Sequence, residues 1–241
     1  MQNPNTMKAY GFLRSKILSG EFQPGTFLSA QKLSKDIGVS RTPMREALRQ
    51  LENDELVTIM PKLGAVVRTL DEEQFRDLLG YREALEVHAA GKAAEMRRSH
   101  EVEHLRGLLE AIRVQVDALS RNADDAEALR QLSAADQLFH HAILKIARNA
   151  FIQKHFERLD ILQRMTMPAL MHKLFPVGKD LQDRAKRALQ EHEAIFNAVC
   201  DGDSDLARQS MRDHIANING KLAFHRELSG TSFPTELLAH I

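Results

Sequence analysis

The stretch VSRTPMREALRQLE, Val39 to Glu52, constrains the fold more than any other part of the chain. At helical spacing, Met44, Ala47, Leu48 and Leu51 share one apolar face, while Arg41, Arg45 and Arg49 form a second stripe at i, i+4 and i+8. Pro43 fits only a first turn, where its missing N–H costs nothing, and Ser40 or Thr42 can supply the N-cap. The result is a short helix with one side docked on a core and three guanidiniums beside a free N-terminal end. A DNA duplex matches that arrangement: helix N-termini and arginines suit phosphates, and bidentate donors suit guanine edges in the major groove. Three arginines alone equally describe a solvated surface helix. The flanking segments decide between the two.

Upstream, residues 7–19 repeat apolar side chains at Phe12, Leu13, Ile17 and Leu18, enough for one amphipathic helix. GEFQPGTFLS reads as a turn-rich link broken by Gly20, Pro24 and Gly25. Ser29 then caps a short helix, AQKLSKDIG, that stops at Gly38. The order is helix, turn, helix, with a turn of the length the DNA-binding motif uses. Downstream, LVTIM and AVVRTL flank PKLG and read as a two-stranded hairpin with a small wing. The expectation for residues 1–70 is a winged helix-turn-helix.

These residues carry a resemblance. The run ILSGEFQPGTFLSAQKLSKDIGVSRTPMREALRQLENDELV, followed by a glycine in the wing, resembles the GntR family of bacterial transcription regulators over residues 8–70. The resemblance implies that Arg41 and Arg45 contact DNA from the recognition helix, helped by Ser40 and Thr42 and joined by Arg49, with Gly64 in the wing tip. Two positions depart from the family pattern. Ala30 and Gln31 stand where relatives often carry an acidic–basic pair, and Glu55 stands where a glycine is usual before the first wing strand.

Charge is distributed to match. Residues 1–70 hold 10 Lys+Arg against 6 Asp+Glu, and residues 71–241 hold 23 against 27, so a formal total of zero hides a basic first part. A single cysteine, Cys200, excludes an internal disulfide and fits a reducing cytoplasm. No run of about 18 apolar residues could span a membrane, and no signal-peptide h-region opens the chain. The expected location is cytoplasmic.

From Asp71 onward there is almost no β signal. Helical periodicity runs over about 72–98, 101–120, 125–148, 150–172, 180–201 and 204–226, so residues 71–228 are expected to form an all-α bundle, with 229–241 a C-terminal tail. Some polar residues fall on the apolar stripes of these helices. Asp136 and His140, at i and i+4, share one face, and His192 and His214 sit on inward stripes of two other helices. A carboxylate buried alone is costly, and three imidazoles beside it are ligands a borderline divalent cation prefers. Each histidine taken singly reads as a core residue. Four such positions on three helices point instead to a divalent metal, with Zn first and Ni, Mn or Fe tolerable.

This part carries a resemblance too. The aspartate and histidine four residues apart, then EHEAIFNAV, then GDSDLARQSMRDHI, look like the FCD effector domain of FadR-like GntR regulators, over residues 72–226. In its metal-binding branch one aspartate and three histidines hold a divalent ion, and those ligands fall on Asp136, His140, His192 and His214. Arg82 lies on the inward stripe of the first bundle helix; it reads either as a structural ion pair with Glu86 or, by the resemblance, as an effector-binding residue for a small carboxylic acid.

The expectation is therefore a homodimeric, ligand-responsive repressor that places two recognition helices on a roughly palindromic double-stranded DNA operator. Two other readings stay open: a sensor of the metal itself, and a metal-dependent hydrolase in which the ion activates water. No further inward acid or base stands beside the four positions, and an enzyme would leave the DNA reader without a use. The chain is expected not to be an enzyme.

Overall fold

A computed structural model describes the backbone of residues 3–174 and 179–229, with side chains except those of 72, 163–174, 179–180 and 218–229. The expected tail lies outside these residues, apart from Ser229 at the end of the last helix. The chain divides into two compact units. Among the described residues, one holds residues 3–73 together with Asp160–Pro168; the other holds Gln74–Leu159 and residues from Ala169 onward.

In the first unit, α1 (Pro4–Leu18), α2 (Ala30–Ile37) and α3 (Arg41–Asn53) surround a core of Leu13, Ile17, Met44, Leu51 and Leu56, all nearly inaccessible to water. Each such side chain contributes about 1.5–3 kcal/mol by leaving water. α2 ends as its sequence requires. Gly38 adopts the left-handed conformation at φ 73°, and the N–H groups of Gly38 and Val39 donate to the carbonyls of Lys35 and Ser34. Only three residues, Gly38, Val39 and Ser40, separate α2 from α3, and this fixes the angle at which α3 leaves.

The sheet differs from expectation. β2 (Val57–Met60) and β3 (Gly64–Val67) form the expected hairpin, but β1 (Phe27–Ser29) adds a third strand in the order β1-β3-β2. The link read as turns thus carries a strand too short to show a period of two. Gly64 makes this possible. It pairs with both Ser29 and Met60, and a Cβ there would lie 2.1 Å from the carbonyl oxygen of Leu28. Only glycine permits that approach.

The second unit contains α4 (Glu72–Met96), α5 (Ser99–Arg121), α6 (Ala126–Ile146), most of α7 (Ala150–Leu174), α8 (Lys179–Asp201) and α9 (Ser204–Ser229). These fall within a few residues of the periodicity. α5 packs on α6 and α8, and α8 on α9, around Leu105, Ile112, Phe139, Ile143, Ile195 and Met211. Asp125 caps α6, accepting from the N–H of Ala128 at 2.9 Å. No helix among the described residues is long and apolar enough to cross a membrane.

Candidate DNA reader and metal centre

In α3 the two stripes separate as the spacing requires. Met44, Ala47, Leu48 and Leu51 are buried, whereas Arg41, Arg45 and Arg49 are exposed along one side. Helix α3 begins at Arg41, which leaves Ser40 in the N-cap position, but its side chain makes no cap hydrogen bond. Ser40 and Thr42 are both exposed beside the open first turn. Gly64 begins β3 rather than occupying the hairpin turn, which is formed by Pro61, Lys62 and Leu63. Lys62, missed in the sequence reading, is the exposed cation of that turn. Glu55, where a glycine is usual, holds φ 61° and pairs with Arg68 at 3.0 Å. The position keeps the glycine conformation without the glycine.

In the second unit the inward polar positions converge. One ligand-type atom from each of Asp136, His140, His192 and His214 lies within 4.8 Å of the others. α6 contributes the first two from adjacent turns, α8 the third and α9 the fourth. The imidazoles crowd together, with ring centroids 5.4 Å apart for His140 and His192, 5.2 Å for His140 and His214, and 4.6 Å for His192 and His214. All three rings are almost wholly buried, while about a third of the Asp136 side chain is exposed.

Each ring is held through Nδ1. His140 contacts Glu86, His192 contacts the carbonyl oxygen of Ala188 at 2.6 Å, and His214 contacts Glu191 at 2.8 Å. With Nδ1–H donating to these oxygens, Nε2 becomes the atom bearing the lone pair. The Nε2 atoms of His140 and His192 are buried with no hydrogen-bond partner. His192 Nε2 comes within 3.0 Å of Asp136 Oδ1 without being satisfied by a hydrogen bond. Two buried orphan nitrogens would be costly in a finished core, and a shared cation satisfies both. The donor set therefore fits a divalent ion held by Asp136, His140, His192 and His214.

At His214 the electrostatics agree. Burial pushes His214 down to about 4, reinforced by the His192 charge, which keeps it neutral at pH 7 as a ligand must be. Burial also opposes the charged form of His192, but the Asp136 carboxylate outweighs it and raises the pKa. For Glu86, burial would raise the value, yet the guanidinium of Arg82 and the His140 ring hold it at about 2. Arg82 is 4% exposed and donates from Nε to Glu86, so the structural ion pair is present. Its guanidinium also lies 5.5 Å from the ring centre of Phe156.

Sequence reasoning missed two partners. Glu86 was read only as the companion of Arg82, one turn away. Glu191 stands next to His192 in the chain but serves His214 and accepts from Asn217 at 2.7 Å.

The chain matches two family models: bacterial regulatory proteins of the gntR family over residues 5–67, and the FCD domain over residues 77–217, more than half of its length. It is 26% identical to the gluconate operon transcriptional repressor of Bacillus licheniformis, across 87% of this chain and 82% of that one. It is 27% identical to the transcriptional repressor RspR of Escherichia coli, across 97% and 95%. Among solved structures, E. coli McbR/YncC superposes with a TM-score of 0.70 at 19% identity, covering 93% of this chain and 99% of that one, which shows a shared fold. The chain belongs to the GntR family of bacterial transcription regulators, as a DNA-binding regulator with an FCD domain and not an enzyme.

Proposed function

We propose that this regulator is a homodimeric repressor whose bundle binds a divalent metal ion together with a small organic acid, and that this binding alters its hold on an operator. The observation that carries the metal part is that one ligand-type atom from each of Asp136, His140, His192 and His214 lies within 4.8 Å of the others, while the buried Nε2 atoms of His140 and His192 make no hydrogen bond. Zn suits the donor set, and Ni, Mn or Fe are tolerated by it. An ion bound there would supply Lewis-acid positions for the oxygens of an acid, since such sites can expand beyond four ligands. Arg82, held through Glu86 one carboxylate away from His140, supplies the positive charge an acid would be drawn to.

On the DNA side, Arg41, Arg45 and Arg49 would reach base edges and phosphates, with Ser40, Thr42 and the α3 N-terminus on phosphate oxygens and the wing opened by Gly64 alongside. A dimer would set two such helices on a roughly palindromic site. The repressor sign follows relatives named as repressors of the gluconate operon and, at 29% identity, the D-xylose utilization operon of Paenarthrobacter nicotinovorans. The acid controls DNA binding only to the extent that it prefers one dimer geometry over another.

Thermal unfolding of metal-loaded and chelator-stripped protein against small carboxylic acids tests this reading. A true effector at 100 times its Kd stabilises by about 2.7 kcal/mol, and only when the ion is present. If metal raises the unfolding temperature and no acid adds to it, the second reading prevails: the four ligands make a sensor of the metal itself.

A further inference from the structure

The three histidines are locked from behind by three different oxygens. His192 leans on a backbone carbonyl of its own helix, and His214 on Glu191, whose side chain is 22% exposed and shared with Asn217. His140 leans on Glu86, whose side chain is 1% exposed. Glu86 divides its two oxygens, Oε1 accepting from Arg82 Nε and Oε2 facing His140 Nδ1. A carboxylate at that depth is costly, and a structural ion pair would need Arg82 alone. The second oxygen does something the ion pair does not require: it draws the imidazole proton to Nδ1 and turns Nε2 of His140 toward Asp136 and the other rings.

We propose that Glu86, tethered by Arg82, is a positioning residue of the metal centre that fixes the tautomer and ring orientation of His140 and thereby sets how tightly the site holds a divalent ion. The proposal rests on the reading of Asp136, His140, His192 and His214 as the ligands. It gives Arg82 a use at the centre that does not depend on any organic acid. Glu86 never touches the ion; it acts through His140.

The test is the affinity of the purified full chain for Zn2+, by competition with a chelator, and the visible spectrum of the Co2+ form. Glu86→Gln should weaken Zn2+ binding by about 10–100-fold and alter the Co2+ bands, as losing a carboxylate behind a ligating histidine does. Because glutamine removes the carboxylate that Arg82 pairs with, the double variant Arg82→Gln/Glu86→Gln is measured alongside, with two neutral amides in place of the pair. It should unfold near the wild-type temperature without metal and show the same weakened affinity. Glu86→Asp, which keeps the carboxylate, should recover part of the loss. Unchanged Zn2+ affinity and Co2+ spectrum in a folded double variant would overturn the proposal and leave Glu86 a structural ion-pair partner. A wild-type chain that binds no ion would instead sink the ligand reading beneath it.

Discussion

The arginines of α3 and the histidines of the bundle both stand in stripes along amphipathic helices, yet the fold treats them in opposite ways. Arg41, Arg45 and Arg49 stand in water along an exposed side, while His140, His192 and His214 are buried and tied down at Nδ1. Exposed cations cost little before a duplex arrives, so the reader can wait open. Buried imidazoles must be satisfied all the time, and here one nitrogen of each is satisfied by protein while Nε2 is turned inward. The difference indicates where each region keeps its chemistry: on a surface in one, in unfinished hydrogen bonding in the other.

The comparison breaks most visibly under acid. The first histidine of the chain is His88, so the reader has none to titrate. His214 binds its proton with a pKa near 6.5 when unfolded but only about 4 when folded. A depressed folded value means stability that is present above 6.5 and is lost as pH falls toward 4. His192, raised by Asp136, works in the opposite direction, so the contrast with a variant isolates His214. In metal-free protein, the wild-type bundle should lose about 2 kcal/mol more than His214→Gln between pH 7 and pH 5, by urea unfolding. Equal losses in the two would place His214 in an ordinary environment.

A comparable effect is expected from the reader with no change in the bundle. Arg45→Ala should cost about 1–3 kcal/mol in specific operator binding, and metal stoichiometry by elemental analysis should stay as in wild type. Weakening that is uniform across all DNA sequences would reassign Arg45 from base edge to phosphate.

The smallest effect sharpens the contrast within the reader itself. Glu55 holds a left-handed backbone that disfavours any residue with a Cβ, and its ion pair with Arg68 is half-buried. Glu55→Gly should stabilise the reader by under about 1 kcal/mol, read as a small rise in its unfolding temperature. A loss of stability would show that the Arg68 pair outweighs the strain.

What could be read from the sequence follows the same division. The α3 stripes and the four inward polar positions are set by 3.6-residue periodicity, a local property, and they stand where the spacing put them. β1 was not legible, because three residues show no alternation and its pairing depends on the missing side chain of Gly64, far away in the chain. The roles of Glu86 and Glu191 were not legible either. Glu86 meets His140 across 54 positions, and Glu191 passes over its neighbour His192 to hold His214. The four inward residues lie on stripes within single helices, whereas the carboxylates behind His140 and His214 are chosen by packing between helices. That is why the cluster was within reach of the sequence and those carboxylates were not.

Asp136, His140, His192 and His214 are proposed to hold one divalent ion together. Titration of metal-free protein with Co2+, followed by visible absorption and elemental analysis, tests this proposal most directly. One ion per chain is expected in the wild type, and in His192→Ala a loss of affinity beyond the roughly 100-fold that outer partners reach, with the helical content retained. Wild-type protein that takes up no stoichiometric ion, or a His192→Ala variant that keeps its full complement, would contradict it.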